Sequence, residues 1–571
     1  MIKRCFFMFS VLIFVCLLPA VIYAGDSAGQ AQVGAGLTKH LAIITTADLQ
    51  SSICGREISK DEGGAATAQT VGGMDRIAAL ALQIRSQVDG ALLVSTGDDL
   101  MGTFYSIFAG TPEIISMNMA GYDVVAPGNH EFDQGLSVYA EAAAKARFDL
   151  LTANVDYGDS PLAKIVKPYV FKNVAGIKVG LFGLMTPALQ VVSNVGDEVT
   201  VDPDLERVAT AMVKLLRGQG ARLVIALSHC GSVLDRQLAA QVAGIDLIVG
   251  GHSHECLFES VANPEGKPCV IVQAGAGGSR VGVLRFSFSD TLQNPQWELV
   301  ALNEKVASVA AVKNYVDGYA EKLDLLLGDP IGETLVALDS RKIVVRQSES
   351  NLGNLIADSV VNWFTQKNSD LVLGLFNGGS IRGDRLYPAG KLSHKDVLNM
   401  LPFGDTIVRV AMTGSQLLAV LEVSASALLF EGAACPASEQ ADAGGFLQLS
   451  RALKVVIDPS QPPFCARYKG REVEEIINPG HRIVKVETLH NGRWQALVPE
   501  AVYTVYVNSW LAGAGDGHYI FNGLKKEDTT VLAADVLARY IEKKTPVRPV
   551  VDGRIIIEGF KGQTPKIGDT D

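Results

Sequence analysis

Short apolar runs closed by turn-forming or polar residues recur along the first half of the chain: IITTADLQ (43–50), LLVSTGDD (92–99), VVAPGNHEFD (124–133), VIALSHCG (224–231) and LIVGGHSH (247–254). Runs of this length, bounded by Gly, Pro, Asn and Asp, predict buried strands. Between them MDRIAALALQIRSQV (74–88) and LERVATAMVKLLRGQG (205–220) carry apolar residues at helical spacing. The alternation from about Leu41 to Phe288 predicts an α/β unit, a sheet covered by helices. KVASVAAVKNYVDGYAEKLDLLL (305–327) predicts one long connecting helix, stopped by the following GDP. From Ile331 to about Ile557 helices and strands mix again, with turn-rich stretches at PGHR (479–482) and AGAGDG (512–517). Because 571 residues exceed what one hydrophobic core holds, the expected division is a catalytic domain (37–300), a connector (301–328), a second domain (329–558) and a polar tail (559–571).

The start changes the compartment. Lys3 and Arg4 precede an apolar run from Cys5 to Leu18, with a small-residue cleavage position after Ala24, so residues 1–24 predict a signal peptide and a periplasmic or secreted protein. The run is short for a membrane anchor and Pro19 interrupts it, and no later segment is apolar enough to span a bilayer. Of eight cysteines, Cys5 and Cys16 would leave with the leader. Cys256 and Cys269 flank one polar loop, and Cys435 and Cys465 bracket another; both pairs suit disulfides in an oxidising compartment. Cys54 and Cys230 lie close to the metal-ligand motifs, where a structural role is favoured over ligation. A net charge of −11 argues against a nucleic-acid polymer as partner, and leaves room for a small anion gripped by a few cations.

The ends of the predicted strands carry the chemistry. If the strands are parallel, Asp48, Gln50, Asp98, Asn129, His130, His229, His252 and His254 emerge at one carboxyl edge, where open α/β folds place their sites. Four of the nine histidines fall in these segments. Asp98 follows a glycine that allows close backbone approach, and its two oxygens can bridge two cations. Asn129 offers an amide oxygen, and His229, His252 and His254 offer imidazoles. Mixed nitrogen and oxygen donors suit Mn, Zn, Fe or Co better than an all-oxygen Ca or Mg cage. Two such ions about 3.5 to 4 Å apart hold and acidify a water and neutralise a phosphoryl oxygen, the two-metal arrangement for phosphate hydrolysis. A lone Gly-Asp or Ser-His is usually a turn or a satisfied residue; GNHEFD and GGHSH, in this order and each after an apolar run, are far more specific.

On these motifs the first half resembles the calcineurin-like metallophosphoesterases. ESNLGNLIAD (349–358), NGGSIRGD (377–384), LPFGDT (401–406), GGFLQLS (444–450) and NSWLAGAGDG (508–517) extend the resemblance over the second half, to the secreted 5'-nucleotidase family with its periplasmic UDP-sugar hydrolases, cyclic phosphodiesterases and animal ecto-5'-nucleotidases. The resemblance implies a four-layer β-sandwich flanked by helices, a connector helix and a separate α+β substrate-binding domain. It implies two divalent cations, one held by Asp48, Gln50, Asp98 and His254 and the other by Asp98, Asn129, His229 and His252. His130 would stabilise the transition state or assist the leaving oxygen, oriented by Asp133. Arg346, Asn377 and Arg382 would grip phosphate or ribose, Phe403 and Trp510 would sandwich a base, and Asp516 would accept from ribose hydroxyls. In one departure Gln50 stands where the family's first motif has His, and His254 stands where members often carry Gln or Asn, so one amide and one imidazole exchange places. The activity this implies is removal of phosphate from nucleoside 5'-monophosphates. A UDP-sugar hydrolase, a 2',3'-cyclic phosphodiesterase with 3'-nucleotidase activity and a sulfur-oxidation thiohydrolase share the scaffold, and a non-catalytic nucleotide-binding protein is the reading of another class. With metals on one domain and the base clamp on the other, hydrolysis requires domain closure hinged at the connector.

Overall fold

The apolar runs become neighbouring parallel strands. In the computed structural model, which describes residues 38–558 apart from 63–64, 194, 197, 366–370, 429–442, 470 and 491, Lys39–Thr46 pairs in parallel with Gly90–Ser95, Ile43 opposite Leu92. Gly90–Ser95 in turn pairs with the short strand Val124–Val125. They belong to a seven-stranded sheet in the order Leu292–Ala301, Arg280–Phe288, Lys39–Thr46, Gly90–Ser95, Val124–Val125, Asp149–Leu151 and Val166–Lys167. Ile177–Met185, Leu223–His229, Leu247–Gly250 and Pro268–Ala274 run parallel in a six-stranded sheet edged by Tyr169–Val174 and Cys256–Ala262. Since the parallel strands are buried on both faces, they read as continuous apolar runs rather than alternating ones.

The sheets face each other across a core that includes Ile43, Val94, Leu181, Leu227, Val249 and Leu284. Ile77, Leu80 and Ile84 of Met74–Arg85 and Met117 of Thr111–Ala120 cover the outer face of the first sheet. Val208, Ala209 and Leu216 of Leu205–Gly218 and Leu238 of Ser232–Gln241 cover the second. This is the expected four-layer sandwich. At the carboxyl ends Thr96 Oγ1 donates to the Gly250 carbonyl at 2.9 Å, joining the two sheets where their loops meet.

The connector is Ala310–Leu327, starting later than the sequence pattern predicts. Asn303 takes the Lys305 and Val306 N–H groups in a turn, which holds the preceding residues out of the helix. Val312 and Val316 are buried in the first core, so the helix is part of that layer rather than a free linker.

Beyond it, a mixed five-stranded sheet runs in the order Leu447–Leu449, Val372–Asn377, Val502–Asn508, Thr406–Thr413 and Lys526–Leu532. Asn351–Thr365 and Ala533–Lys544 contribute buried residues to a core on one face, and Gly414–Ser426 to a core on the other. Capping boxes at Ser393/Asp396 and Thr413/Gln416 fix the starts of His394–Met400 and Gly414–Ser426. The architecture is α/β followed by α+β.

The expected Cys256–Cys269 disulfide is not formed; both thiols are free. They sit on the two strands of one hairpin, but Cys256 lies opposite Ala274 while Cys269 lies opposite Val261. At about 3.3 Å per residue that offset is far beyond disulfide reach. Cys54 and Cys230 are also free. Burial pushes the Cys54 thiol up to about 12 and raises Cys230 as well, which suits packing rather than ligation as thiolates. The leader, the polar tail and Cys435 lie outside the described residues. Among the described residues no helix is long and apolar enough to cross a membrane.

Candidate metal centre and substrate face

Five of the candidate ligands hold a left-handed backbone: Asp48 (φ 51°), Gln50 (49°), Asp98 (52°), His252 (74°) and His254 (61°). None is glycine, and such conformations persist only where surrounding contacts impose them. Here the first two loops are zipped together: Asp48 N–H donates to Gly97 O at 2.8 Å, Gln50 N–H to Asp98 O at 2.8 Å and Ser51 N–H to Asp99 O at 2.9 Å. The second and third loops are tied by Glu131, whose buried carboxylate accepts from the N–H groups of Asp98 (3.0 Å), Asp99 (2.7 Å), Leu100 (3.3 Å) and Gly128 (2.7 Å).

The side chains so aimed form two overlapping groups. Donor atoms of Asp98, His229 and His252 lie within 4.8 Å of one another. His229 Nε2 is 3.2 Å from Asp98 Oδ2 and 3.3 Å from Asn129 Oδ1. His229 Nδ1 lies 2.5 Å from the Thr96 carbonyl, which only accepts, so the proton belongs on Nδ1 and Nε2 is presented to the cluster. Around Asp48, His254 Nε2 is 3.4 Å from Oδ1, Gln50 Nε2 is 3.4 Å from His254 Nε2, and the His252 N–H donates at 3.1 Å. Carboxylate, amide and imidazole donors clustered this tightly in a mostly buried cleft fit divalent cations.

The electrostatics agree. Burial works to raise Asp98, but the charges of His229 and then His130 outweigh it and hold the carboxylate well below its usual range. His229, which burial alone would depress, is pushed up to about 10 by Asp98. A ligating imidazole must be neutral, so a cation entering here displaces protons that the cluster otherwise keeps for charge balance. His130 borders the donors: its Nδ1 is 2.8 Å from Asp133 Oδ2, its backbone N–H donates to Asp98 Oδ1 at 2.8 Å and its Nε2 is 4.0 Å from Asp98 Oδ2. Burial opposes its protonation, but Asp133 and then Asp98 raise it on balance.

The second domain brings its side chains to the same place. The Phe403 ring lies parallel to His130, 6.0 Å between centroids and 13° between planes, and the Arg382 guanidinium covers Phe403 at 4.9 Å. Trp510 and Asp516 are held on the neighbouring loop: Trp510 Nε1 donates to Asp516 Oδ1 at 3.0 Å, and Asn377 Nδ2 donates to Asp516 Oδ2 at 2.6 Å. Arg346 is buried, its backbone pressed on Gly378, where an added Cβ would come within 3.2 Å of the Arg346 Cα. The two rings expected to sandwich a base have different partners: Phe403 faces His130 and Arg382, while Trp510 carries Arg471, 4.8 Å from its centroid.

Three residues escaped the sequence reading. Glu131 lies inside GNHEFD and Asp405 inside LPFGDT, so a polar residue within a motif was the available signal. Asp405 accepts from Ser509 Oγ (2.8 Å), Trp510 N–H (3.2 Å) and Asn508 Nδ2 (3.0 Å), tying the Phe403 turn to the Trp510 turn. Arg471, far off in the sequence, left no signal.

Residues 41–256 match the calcineurin-like phosphoesterase family, and residues 330–526 match the 5'-nucleotidase C-terminal domain. The chain is 29% identical to a snake venom 5'-nucleotidase from Gloydius brevicauda, over 90% of this chain and 88% of that one. It is 29% identical to the 5'-nucleotidase of Bos taurus, over 90% of each. Among solved structures, the 5'-nucleotidase precursor of Thermus thermophilus has a TM-score of 0.79 at 30% identity, covering 91% of this chain and 99% of that one.

Proposed function

We propose a function from the premise that this chain belongs to the 5'-nucleotidase family, metal-dependent hydrolases with a calcineurin-like phosphoesterase domain and a 5'-nucleotidase C-terminal domain. The reading is that it removes phosphate from nucleoside 5'-monophosphates. The observation that carries it is the parallel approach of Phe403 to His130, which brings an aromatic surface of the second domain beside the ligand cluster of the first.

In this reading Asp48, Gln50, Asp98 and His254 hold one cation, and Asp98, Asn129, His229 and His252 the other. Bound there, two cations supply Lewis-acid charge and a water acidic enough to attack phosphorus at neutral pH. Asp133 keeps a proton on His130 Nδ1, and the imidazolium offers its other N–H to the phosphoryl or leaving oxygen, where negative charge grows. Arg346, Asn377 and Arg382 orient the phosphate and ribose. Phe403 and Trp510 stack the base. Asp516 has both oxygens engaged by Asn377 and Trp510, yet a carboxylate has further lone pairs for ribose hydroxyls. Gln50, a weaker donor than imidazole, favours a harder first ion, and His254 returns the imidazole to that site.

The domain limits 37–300, 301–328 and 329–558, export by residues 1–24 and a Cys435–Cys465 disulfide belong to the same reading. The His130–Asp133 pair favours an enzyme over a nucleotide-binding protein, which has no use for it. The test is hydrolysis of AMP, UDP-glucose, 2',3'-cyclic AMP and p-nitrophenyl phosphate, each with Mn or Co, followed by chromatography of the products, since the diphosphate sugar and the cyclic ester are first cleaved to monophosphates without freeing inorganic phosphate. AMP is expected to be turned over fastest. A faster UDP-glucose or cyclic substrate would move the assignment to those activities, and equally low rates on all four would remove the nucleotide claim.

A further inference from the structure

The hairpin formed by Phe464–Lys469 and Glu472–Pro479 leans on the loop that carries Trp510 and Asp516. It is fastened there at three points. The Tyr468 hydroxyl donates to Gly517 O at 2.9 Å, Asn522 Nδ2 donates to Arg471 O at 2.8 Å, and Arg471 Nη1 donates to Gly513 O at 3.0 Å. The Arg471 guanidinium lies over the Trp510 ring, its central carbon 4.8 Å from the ring centroid, while Asp516 holds the same ring by its Nε1–H. An added Cβ at Gly513 would come within 3.0 Å of Arg471 Nη1, so the loop is shaped to admit the guanidinium.

We propose that Arg471 is a specificity-determining residue for the nucleobase: it fixes the tilt of the Trp510 ring by stacking on it while its Nη1 holds the Gly513 carbonyl beside it. A planar, always-charged fork does both at once; a lysine cannot. The chemical class so selected is a nucleotide, whose base can stack, over a sugar phosphate that has no base. This inference rests on the reading of Trp510 as one plate of the base clamp. Arg471 is a positioning residue, and its effect belongs in KM rather than in kcat.

The experiment measures kcat and KM for AMP, GMP and ribose 5-phosphate with the full-length metal-loaded protein, as wild type, Arg471→Met, Arg471→Lys and Trp510→Ala. Methionine keeps a stem to pack on the indole but has no charge or donor, and thermal unfolding reports whether each variant is folded. Arg471→Met is expected to raise KM for AMP and GMP about five- to thirty-fold, the range of a desolvated cation–π contact. Its kcat should stay within about twofold, its KM for ribose 5-phosphate should hardly move, and Arg471→Lys should recover only part of the loss. An unchanged or lower KM for AMP in Arg471→Met, or an equal rise for ribose 5-phosphate, overturns the inference. If Trp510→Ala leaves KM for AMP unchanged, the base-clamp reading beneath it fails instead.

Discussion

Gly128 occupies a position where no side chain fits: an added Cβ would come within 2.3 Å of Asp98 Oδ1 and 2.6 Å of His229 Cε1. Gly128→Ala is therefore expected to push Asp98 and His229 apart, and elemental analysis of the purified variant should find less bound metal than in wild type. His130 makes the complementary case, since it touches the donors without being one. Removing a positioned general acid costs about 10²- to 10⁴-fold, so His130→Ala should lower kcat for AMP by that range while nucleotide affinity, read by calorimetry, stays within a few-fold. A wild-type kcat in that variant would remove His130 from the chemistry. At this scale the sequence was most informative about the candidate ligands, because they fall at or just past the end of an apolar strand and, His229 apart, next to a glycine or within two residues of another candidate. Residues that hold them, such as Glu131, and those that hold the aromatic plates, such as Asp405 and Arg471, reach across loops remote in the chain. Spacing alone carries no trace of such contacts.

Strands were legible at the scale of elements because buried parallel strands are uniformly apolar. Helix limits were less so: Asn303 turns the chain ahead of the connector by hydrogen bonds that a periodicity count does not see. The hairpin Cys256–Ala262/Pro268–Ala274 misled the cysteine reading, since two cysteines flanking a loop are close only when their cross-strand register agrees. An element-level prediction comes from His518, fully buried beside the Asp516 loop with its Nε2 donating to Gly445 O at 2.9 Å. Burial holds its pKa down at about 4, against an ordinary 6.5. Between those values the unfolded chain binds a proton that the folded one refuses, so stability is complete above about pH 6.5 and falls as pH drops toward 4. The slope is about 1.4 kcal/mol per pH unit at most. Urea unfolding at pH 7 and pH 4.5 should show this loss in wild type and a smaller one in His518→Gln; equal losses would exclude His518 as the cause.

The whole molecule sets the catalytic loops against the second domain. Thr103 Oγ1 donates to Asn399 Oδ1 at 2.7 Å, Ser106 Oγ donates to Pro402 O at 3.0 Å, and Lys395 pairs with Asp324 of the connector at 2.5 Å. These contacts surround the turn that carries Phe403, so movement of the second domain moves the Phe403 ring relative to His130 and the clustered donors. Cysteines placed at Thr103 and Asn399 in a Cys256→Ser background, joined by a short bismaleimide, should lower steady-state turnover of AMP at least about tenfold if opening is needed for product release. Undiminished turnover in the cross-linked protein would argue against that motion. Two domains were legible from chain length and from the separate sets of motifs; how they meet was not, because the contacting residues lie hundreds of positions apart. In the proposed function two cations sharing Asp98 serve phosphate release from a nucleoside monophosphate. The most direct measurement is inorganic phosphate released from AMP by chelator-stripped protein titrated with Mn, for wild type and Asp98→Asn. Wild type is expected to regain turnover as it takes up two ions per chain, and Asp98→Asn is not; phosphate release independent of metal, or equal in the two proteins, would rule out a shared Asp98 centre.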